Sequence, residues 1–131
     1  MPITAFYASI LAALFVILAL RVIAVRRSAR VALGDGGDRL LLRRIRVHAN
    51  FAEYAPMGLV LIGLAESVKT SSVILHFIGA TLVLGRLLHA YGVSQSTEPL
   101  PVRVSGMMAT FAALLGAAGA CLIGALRQGI F

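Results

Sequence analysis

Cysteine is nearly absent from this chain of 131 residues, which contains one, Cys121. A lone thiol cannot close a disulfide within the chain, and it cannot supply the paired sulfur ligands of a zinc site. We therefore expect no disulfide and no metal site. Cys121 lies inside an apolar run, where a small core residue is the ordinary role of a free cysteine.

Charged residues are also scarce, at 13% of the chain, whereas hydrophobic residues make up 60% and the mean hydropathy is +0.94. This composition is more apolar than a soluble domain of this length requires. A helix needs about 20 apolar residues to cross the hydrocarbon core of a bilayer. The uncharged runs are residues 2–20, 54–65, 70–85 and 104–126, and the middle two become long enough only with the polar residues at their ends.

These runs predict one all-α domain over residues 1–131, an integral membrane four-helix bundle. The expected helices lie near residues 2–25, 39–67, 71–92 and 102–126. Asp38 is expected to cap the second helix, and polar residues at the far face, such as Glu66 and His76, are expected to have structural roles. On the fourth helix, small residues recur at every fourth position and predict a close-packing face; these are Ala112, Gly116, Ala120 and Gly124.

Acidic residues are the scarcest charged class, with 5 Asp and Glu against 12 Lys and Arg and a net charge of +7. In a soluble protein this balance would indicate nucleic acid, which we do not expect as a partner here because the charge is concentrated around one loop. Its arginines are Arg21, Arg26, Arg27, Arg30, Arg39, Arg43, Arg44 and Arg46. Such clustering predicts that the first and third loops are cytoplasmic and that both termini lie on the opposite side. Contact with anionic lipid head groups accounts for most of these arginines.

Polar residues also enter the second apolar helix, where they follow a single stripe. At about 100° per residue, Arg46, Asn50 and Glu53 share one face, Tyr54 lies to one side, and His48 points the opposite way. A carboxylate at the depth of Glu53 would cost several kcal/mol without a partner. The stripe therefore predicts a partner for Glu53 from another helix.

Antiparallel packing brings three other segments to the same depth. They carry Arg86 and His89 near the end of the third helix, Arg103 at the start of the fourth, and Arg26 and Arg27 at the end of the first. Together they predict one electropositive, partly buried pocket. An ion pair between Glu53 and Arg86 could simply hold helices together.

The other interpretation is a binding site. Guanidinium groups bind carboxylates bidentately, a glutamate can accept from an ammonium group, and an asparagine can bind a peptide unit. A small zwitterionic peptide would fit this chemistry, and a hydrophobic second substrate could enter from the lipid.

The second-helix pattern R-x-x-x-N-x-x-E-Y-x-P, formed by Arg46, Asn50, Glu53, Tyr54 and Pro56, resembles a motif of the MAPEG family, the membrane-associated proteins in eicosanoid and glutathione metabolism. The segment "GRLLHAYG" at residues 85–92, the four helices, the length and the arginine-rich first loop are similar as well. The resemblance covers nearly the whole chain and is nearest to the short bacterial members.

This resemblance implies a homotrimer in a bacterial inner membrane, with glutathione as co-substrate between subunits near the cytoplasmic face. The implied activity is transfer of glutathione to lipophilic electrophiles, or reduction of lipophilic peroxides. The implied glutathione contacts are Arg46, His48, Asn50, Glu53, Tyr54, Arg86 and His89, and the implied thiol-activating residues are Arg103, Arg26 and Arg27. His89 and Val93 stand where leukotriene-forming members carry tyrosines, so leukotriene synthesis is not expected.

Two alternatives from other classes stay open. The family also contains non-catalytic lipid-binding or scaffold proteins, and glutathione binding would distinguish an enzyme from these. A small proton-coupled exporter would also carry one glutamate in the membrane, but it would not need several arginines around it. Membrane lipids, further copies of the chain and a hydrophobic small molecule are therefore the expected partners.

Overall fold

The computed structural model describes residues 1–97 and 99–129, and this part of the chain contains four α-helices and no strand. They are α1 (Pro2–Ala29), α2 (Arg39–Ser67), α3 (Ser72–Ser94) and α4 (Leu100–Arg127). Helix α1 continues four residues beyond its expected end near residue 25, past the apolar run and into the basic segment. The third loop, which lies between the expected helices at residues 71–92 and 102–126, includes Glu98, which lies outside the described residues.

At one end of the bundle α1 and α3 finish while α2 and α4 begin, and we call this the basic end. Helix α1 terminates there at Arg30, whose left-handed backbone has φ 56°. Arg26 Nη1 donates to the carbonyl oxygen of Gly34 at 2.7 Å, which fixes the following loop. Asp38 accepts from the backbone N–H of Leu41 at 2.9 Å, so the expected N-cap of α2 is formed.

Three of the helices, α1, α3 and α4, are long and apolar enough to cross a membrane by length and composition. Helix α2 falls short of this standard because arginines occupy its first turns and polar residues such as His48, Asn50 and Glu53 follow them. It is nevertheless packed into the same apolar core, where Leu11, Ile62 and Leu82 are almost completely buried. Large apolar side chains such as Phe77 and Leu115 face outward. The chain is therefore an all-helical membrane protein.

Helices α3 and α4 approach each other closely through glycine. A Cβ atom on Gly106 would lie 2.4 Å from the backbone nitrogen of His89, and one on Gly85 would lie 2.7 Å from Thr110 Oγ1. Only a residue without a side chain permits this backbone separation. The contact sets side chains of α3 directly beside the first turns of α4.

The buried face of α4 differs from the expected one. It consists of Gly106, Thr110, Ala113, Ala117 and Gly124, whereas Ala112 and Gly116 are exposed. The expectation was wrong by one residue at Ala112 and Gly116, whereas Ala120 packs against the core and Gly124 is buried as expected. Spacing alone did not distinguish the face that meets α3.

Polar residues at the far end of the bundle fasten helices to one another. The Glu66 carboxylate accepts from the backbone nitrogen of Thr4 at 2.8 Å and from its hydroxyl at 2.6 Å. Tyr7 donates its hydroxyl to the carbonyl oxygen of His76 at 2.9 Å. Glu66 and His76 therefore have structural contacts, as the sequence indicated.

Candidate functional site

A pocket of about 250 Å³ lies at the basic end between α2, α3 and α4, and we call it the arginine pocket. Its lining residues are Leu42, Arg43, Arg46, Asn50, His89, Val93 and Arg103. The α2 members follow helical spacing and so share one face. The start of α4 reaches the end of α3 because Gly92 lies against the backbone of Arg103, where a Cβ atom would approach the Arg103 nitrogen to 2.8 Å.

The chemistry of the arginine pocket is that of hydrogen-bond donors. Three guanidinium groups line it, from Arg43, Arg46 and Arg103, and no described lining residue carries a carboxylate. A guanidinium offers five N–H donors and no acceptor. Arg43 Nη1 donates to the carbonyl oxygen of Gln95, which connects the pocket to the end of α3. Such a surface favours a ligand that carries carboxylates or another anionic group.

Arg86 lies behind this pocket, with 1% of its surface exposed. Its Nη1 donates to Asn50 Oδ1 at 2.7 Å and to the Asn50 carbonyl oxygen at 3.3 Å. Its Nε donates to Thr110 Oγ1 at 3.0 Å, and its Nη2 donates to Met107 Sδ at 3.3 Å. This one side chain therefore joins α2, α3 and α4.

The guanidinium of Arg86 also determines how Asn50 is oriented. Because Arg86 can only donate, the side-chain oxygen of Asn50 must be the atom that faces it. The amide nitrogen of Asn50 is then the group that can donate to a ligand. Asn50 thus adds a further donor to the arginine pocket, and Arg86 orients it.

Tyr54 belongs to the surroundings of Arg86. The Arg86 Cζ atom lies 5.3 Å from the centroid of the Tyr54 ring, within the range of a cation–π contact. The same ring lies 5.8 Å from that of Phe111 on α4. Tyr54 is therefore placed where it stabilises the buried guanidinium.

Comparison with known proteins assigns the chain to a family. The family model described as "MAPEG family" matches residues 4–123. The chain belongs to the MAPEG family. It is similar to proteins named "Inner membrane protein YecN" from Escherichia coli K12 and Escherichia coli O6:H1. In each case the identity is 38% over 113 residues, which cover 86% of this chain and 85% of the relative.

Four of the site residues predicted from the sequence of this MAPEG chain line the arginine pocket, namely Arg46, Asn50, His89 and Arg103. Arg86 and Tyr54 lie behind it. The proposed ion pair between Glu53 and Arg86 is wrong for the described chain. The hydrogen bonds of Arg86 go to neutral groups on α2 and α4, and Glu53 is exposed.

The remaining predicted residues lie elsewhere in the single MAPEG chain. His48 faces α1, with its ring 4.6 Å from that of Phe15. Arg26 and Arg27 line a separate surface hollow at the end of α1. Within one chain, these residues do not reach the arginine pocket.

Two residues that sequence reasoning overlooked hold Arg86 in place, Thr110 and Met107. Thr110 has no exposed surface, and its hydroxyl donates to the Gly106 carbonyl oxygen at 2.8 Å while it accepts from Arg86. The sequence feature that could have identified Thr110 is its position as a hydroxyl residue inside the long apolar run of the fourth helix of this MAPEG chain. Thr110 contacts Arg86 only because its face of α4 packs against α3.

Proposed function

We propose that this protein is a membrane-embedded glutathione-dependent transferase or peroxidase that acts on lipophilic electrophiles, with glutathione in the arginine pocket. The observation that carries the proposal is the convergence of Arg43, Arg46, Arg103 and Asn50 on one pocket. Glutathione is a peptide with two carboxylates and a thiol, which is the ligand class that such a donor surface favours. Membership of the MAPEG family supports the same assignment.

The roles of the residues follow from their chemistry. Arg43 and Arg46 would bind the glutathione carboxylates, and the Asn50 amide would donate to a peptide carbonyl. Arg103 would lie beside the sulfur and stabilise the thiolate, which is the reactive nucleophile. The thiolate would attack an electrophile delivered from the lipid, and holding the two reactants together would supply much of the acceleration.

Completion of the site by a second subunit is part of the proposal. The pocket volume of about 250 Å³ is smaller than the roughly 300–1,000 Å³ typical of small-molecule sites. A neighbouring copy would supply the missing wall. Glu53 is exposed on α2, where it could accept the glutathione ammonium group at such an interface. The family resemblance implies a homotrimer with its sites between subunits, and in such a trimer His48, Arg26 and Arg27 would contribute from an adjoining subunit.

The distribution of charge supports an orientation in the membrane. Most arginines lie at the basic end, so by the positive-inside rule we propose that this end is cytoplasmic and that both termini lie on the other side. The relatives named as inner membrane proteins support a bacterial inner membrane location. Glutathione is then taken from the cytoplasm.

Calorimetry of the purified protein in mild detergent tests this proposal, with glutathione and S-hexylglutathione as ligands. We expect both to bind, and we expect Arg46→Gln to weaken binding about tenfold or more, the usual effect of losing a charged hydrogen bond. Arg39→Gln is the matched control because Arg39 is exposed and lies outside the pocket. Equal affinity in the two variants, or no binding by the wild type, would contradict the proposal.

A non-catalytic lipid-binding or scaffold protein of the same fold is the second candidate. Val93 lines the arginine pocket at a position where the leukotriene-forming members of the family carry a tyrosine, and a valine has no hydroxyl to donate to a thiolate. If the protein is of this non-catalytic kind, we expect no turnover of model electrophiles or hydroperoxides, even when glutathione binds. Turnover assays with both substrate types separate the two functions.

A further inference from the structure

A second cavity, of about 260 Å³, lies between α1 and α3 at the basic end, and we call it the α1–α3 cleft. Arg86, which has its hydrogen bonds on the side of α2 and α4, also lines this cleft. Among the described residues, none lines both the cleft and the arginine pocket. The cleft is therefore a separate site, and the proposed binding of glutathione leaves it without a role.

The mouth of the α1–α3 cleft is polar and positively charged. Arg21 Nη2 donates to Ser94 Oγ at 3.4 Å, near the long limit for a hydrogen bond. Ser94 in turn donates to the Ala90 carbonyl oxygen at 2.6 Å. None of the described lining residues is acidic. A guanidinium with five donors thus stands at the opening, where an anion would find a charge of opposite sign.

The walls of the same cleft are apolar, and they include Leu14, Ile17, Leu18 and Leu87. From Arg21 to Leu14 the helix descends about 10 Å, so the walls can accompany the upper part of an acyl chain. By contrast, the described lining residues of the groove between α1 and α2 are all apolar. That groove offers no group that would orient a ligand.

The depth of the cleft matches the surface of a bilayer. Arg21 is the first charged residue after the uncharged run of residues 2–20, so it lies where the hydrocarbon ends. Tyr91, which is 59% exposed, lines the cleft on the α3 side. Tyrosine is enriched at this interfacial level of membrane proteins. Phosphate groups of phospholipids lie at the same depth.

We propose that the α1–α3 cleft is a binding site for an anionic phospholipid of the leaflet at the basic end. The phosphate contacts the Arg21 guanidinium, whose weak contact with Ser94 leaves donors for it, and one acyl chain lies along Leu14 and Leu87. Recognition requires both the phosphate group and an acyl chain. Arg21 provides selectivity for the anionic head group, and burial of the acyl chain against the apolar walls stabilises the complex. The proposed ligand is a lipid of the surrounding bilayer, so this proposal does not depend on whether the protein uses glutathione.

Native mass spectrometry of the purified protein, titrated with phosphatidylglycerol in mild detergent, tests the proposal. We expect phosphatidylglycerol to bind at least fivefold more tightly than phosphatidylcholine with the same chains, which corresponds to about 1 kcal/mol for one interfacial arginine. Inorganic phosphate and diacylglycerol, each of which carries half of the recognised structure, are expected to bind more weakly than the complete lipid.

Two variants of the cleft and one control complete the test. Arg21→Gln should remove the preference for phosphatidylglycerol, whereas Arg39→Gln should retain it although it removes the same charge from the same end. Ala90→Leu should narrow the cleft and weaken both lipids without a change in charge. Helix content by circular dichroism checks that each variant is folded. Equal selectivity in the Arg21 and Arg39 variants, or binding undiminished by Ala90→Leu, would overturn the proposal.

Discussion

Arg86 is a buried cation whose hydrogen-bond partners in the described chain are all uncharged. Its Nε depends on the hydroxyl of Thr110, so Thr110→Val leaves a buried charged donor without an acceptor. Such a loss costs about 1–3 kcal/mol or more. We expect a lower melting temperature in detergent for Thr110→Val and a much smaller change for Thr110→Ser, which keeps the hydroxyl.

The same pair of variants tests whether Arg86 acts on the arginine pocket through Asn50. If it does, glutathione affinity measured on the folded fraction should fall in Thr110→Val and recover in Thr110→Ser. Equal affinity in both variants would restrict Thr110 to a structural role. This result would leave the proposal for Arg46 untouched, since Arg46 lines the pocket directly.

Arg103 is the arginine that α4 brings to the arginine pocket. If its guanidinium stabilises the glutathione thiolate, Arg103→Ala should raise the pKa of the bound thiol, because a nearby positive charge favours the deprotonated form. Turnover at neutral pH should fall about tenfold for each unit of this rise. Affinity should change little, because other residues hold the carboxylates.

The ultraviolet absorbance of the thiolate, followed across a pH titration with glutathione saturating, measures this directly. An unchanged midpoint in Arg103→Ala would exclude Arg103 from thiol activation. The same titration on Arg26→Ala and Arg27→Ala would then show whether the end of α1, from a neighbouring subunit, provides the charge.

At the scale of helices, the contact between α3 and α4 depends on glycine. Gly106→Ala would place a methyl group 2.4 Å from the backbone nitrogen of His89, and the two helices must separate to admit it. Overpacking of this kind costs about 1–3 kcal/mol. Gly119→Ala is the matched control, because no neighbouring helix of the described chain comes within 4 Å of the place that its methyl group would occupy and alanine favours a helix by about 0.8–1.0 kcal/mol over glycine. We expect melting temperatures to fall for Gly106→Ala and to be maintained or raised for Gly119→Ala.

The helices were predictable from the sequence because four apolar runs, the middle two extended by the polar residues at their ends, approach membrane length and leave the backbone few alternatives to a helix. The faces through which the helices pack were harder to predict. On α4, small residues occupy adjacent positions such as Ala112 and Ala113, and only the second is buried. A helix that is apolar on every side gives no sign of which face meets a neighbour. The close contact with α3 at Gly106 determines which face of α4 is buried.

The site was partly predictable for an energetic reason. A polar side chain in an apolar helix is costly unless it is paired, so its presence indicates a partner or a function, and Asn50 and His89 could be recognised in this way from the sequence. The partners of Arg86 could not, because Thr110 and Met107 become relevant only once α4 has a defined rotation. Glu53 was the obvious partner for Arg86 by charge, but Glu53 is exposed, and Asn50 on the same side of α2 accepts from Arg86 instead.

At the scale of the whole molecule, Glu53 is exposed on a helix of a membrane protein. A carboxylate that faced lipid would cost about 2.5–3.5 kcal/mol at the centre of a bilayer, so a neighbouring subunit should cover it. We expect light scattering in mild detergent to give the mass of a trimer, after the contribution of the detergent is subtracted. A stable, folded monomer would contradict this expectation.

The weak hydropathy of α2 has a consequence for biogenesis. Helices α1, α3 and α4 are apolar and long enough by composition to cross a bilayer, whereas α2 is less apolar than this standard. Polar residues such as His48, Asn50 and Glu53 make the entry of α2 alone less favourable. We therefore expect α2 to enter the membrane as a hairpin with α1, which is synthesised first and is present when α2 emerges from the ribosome.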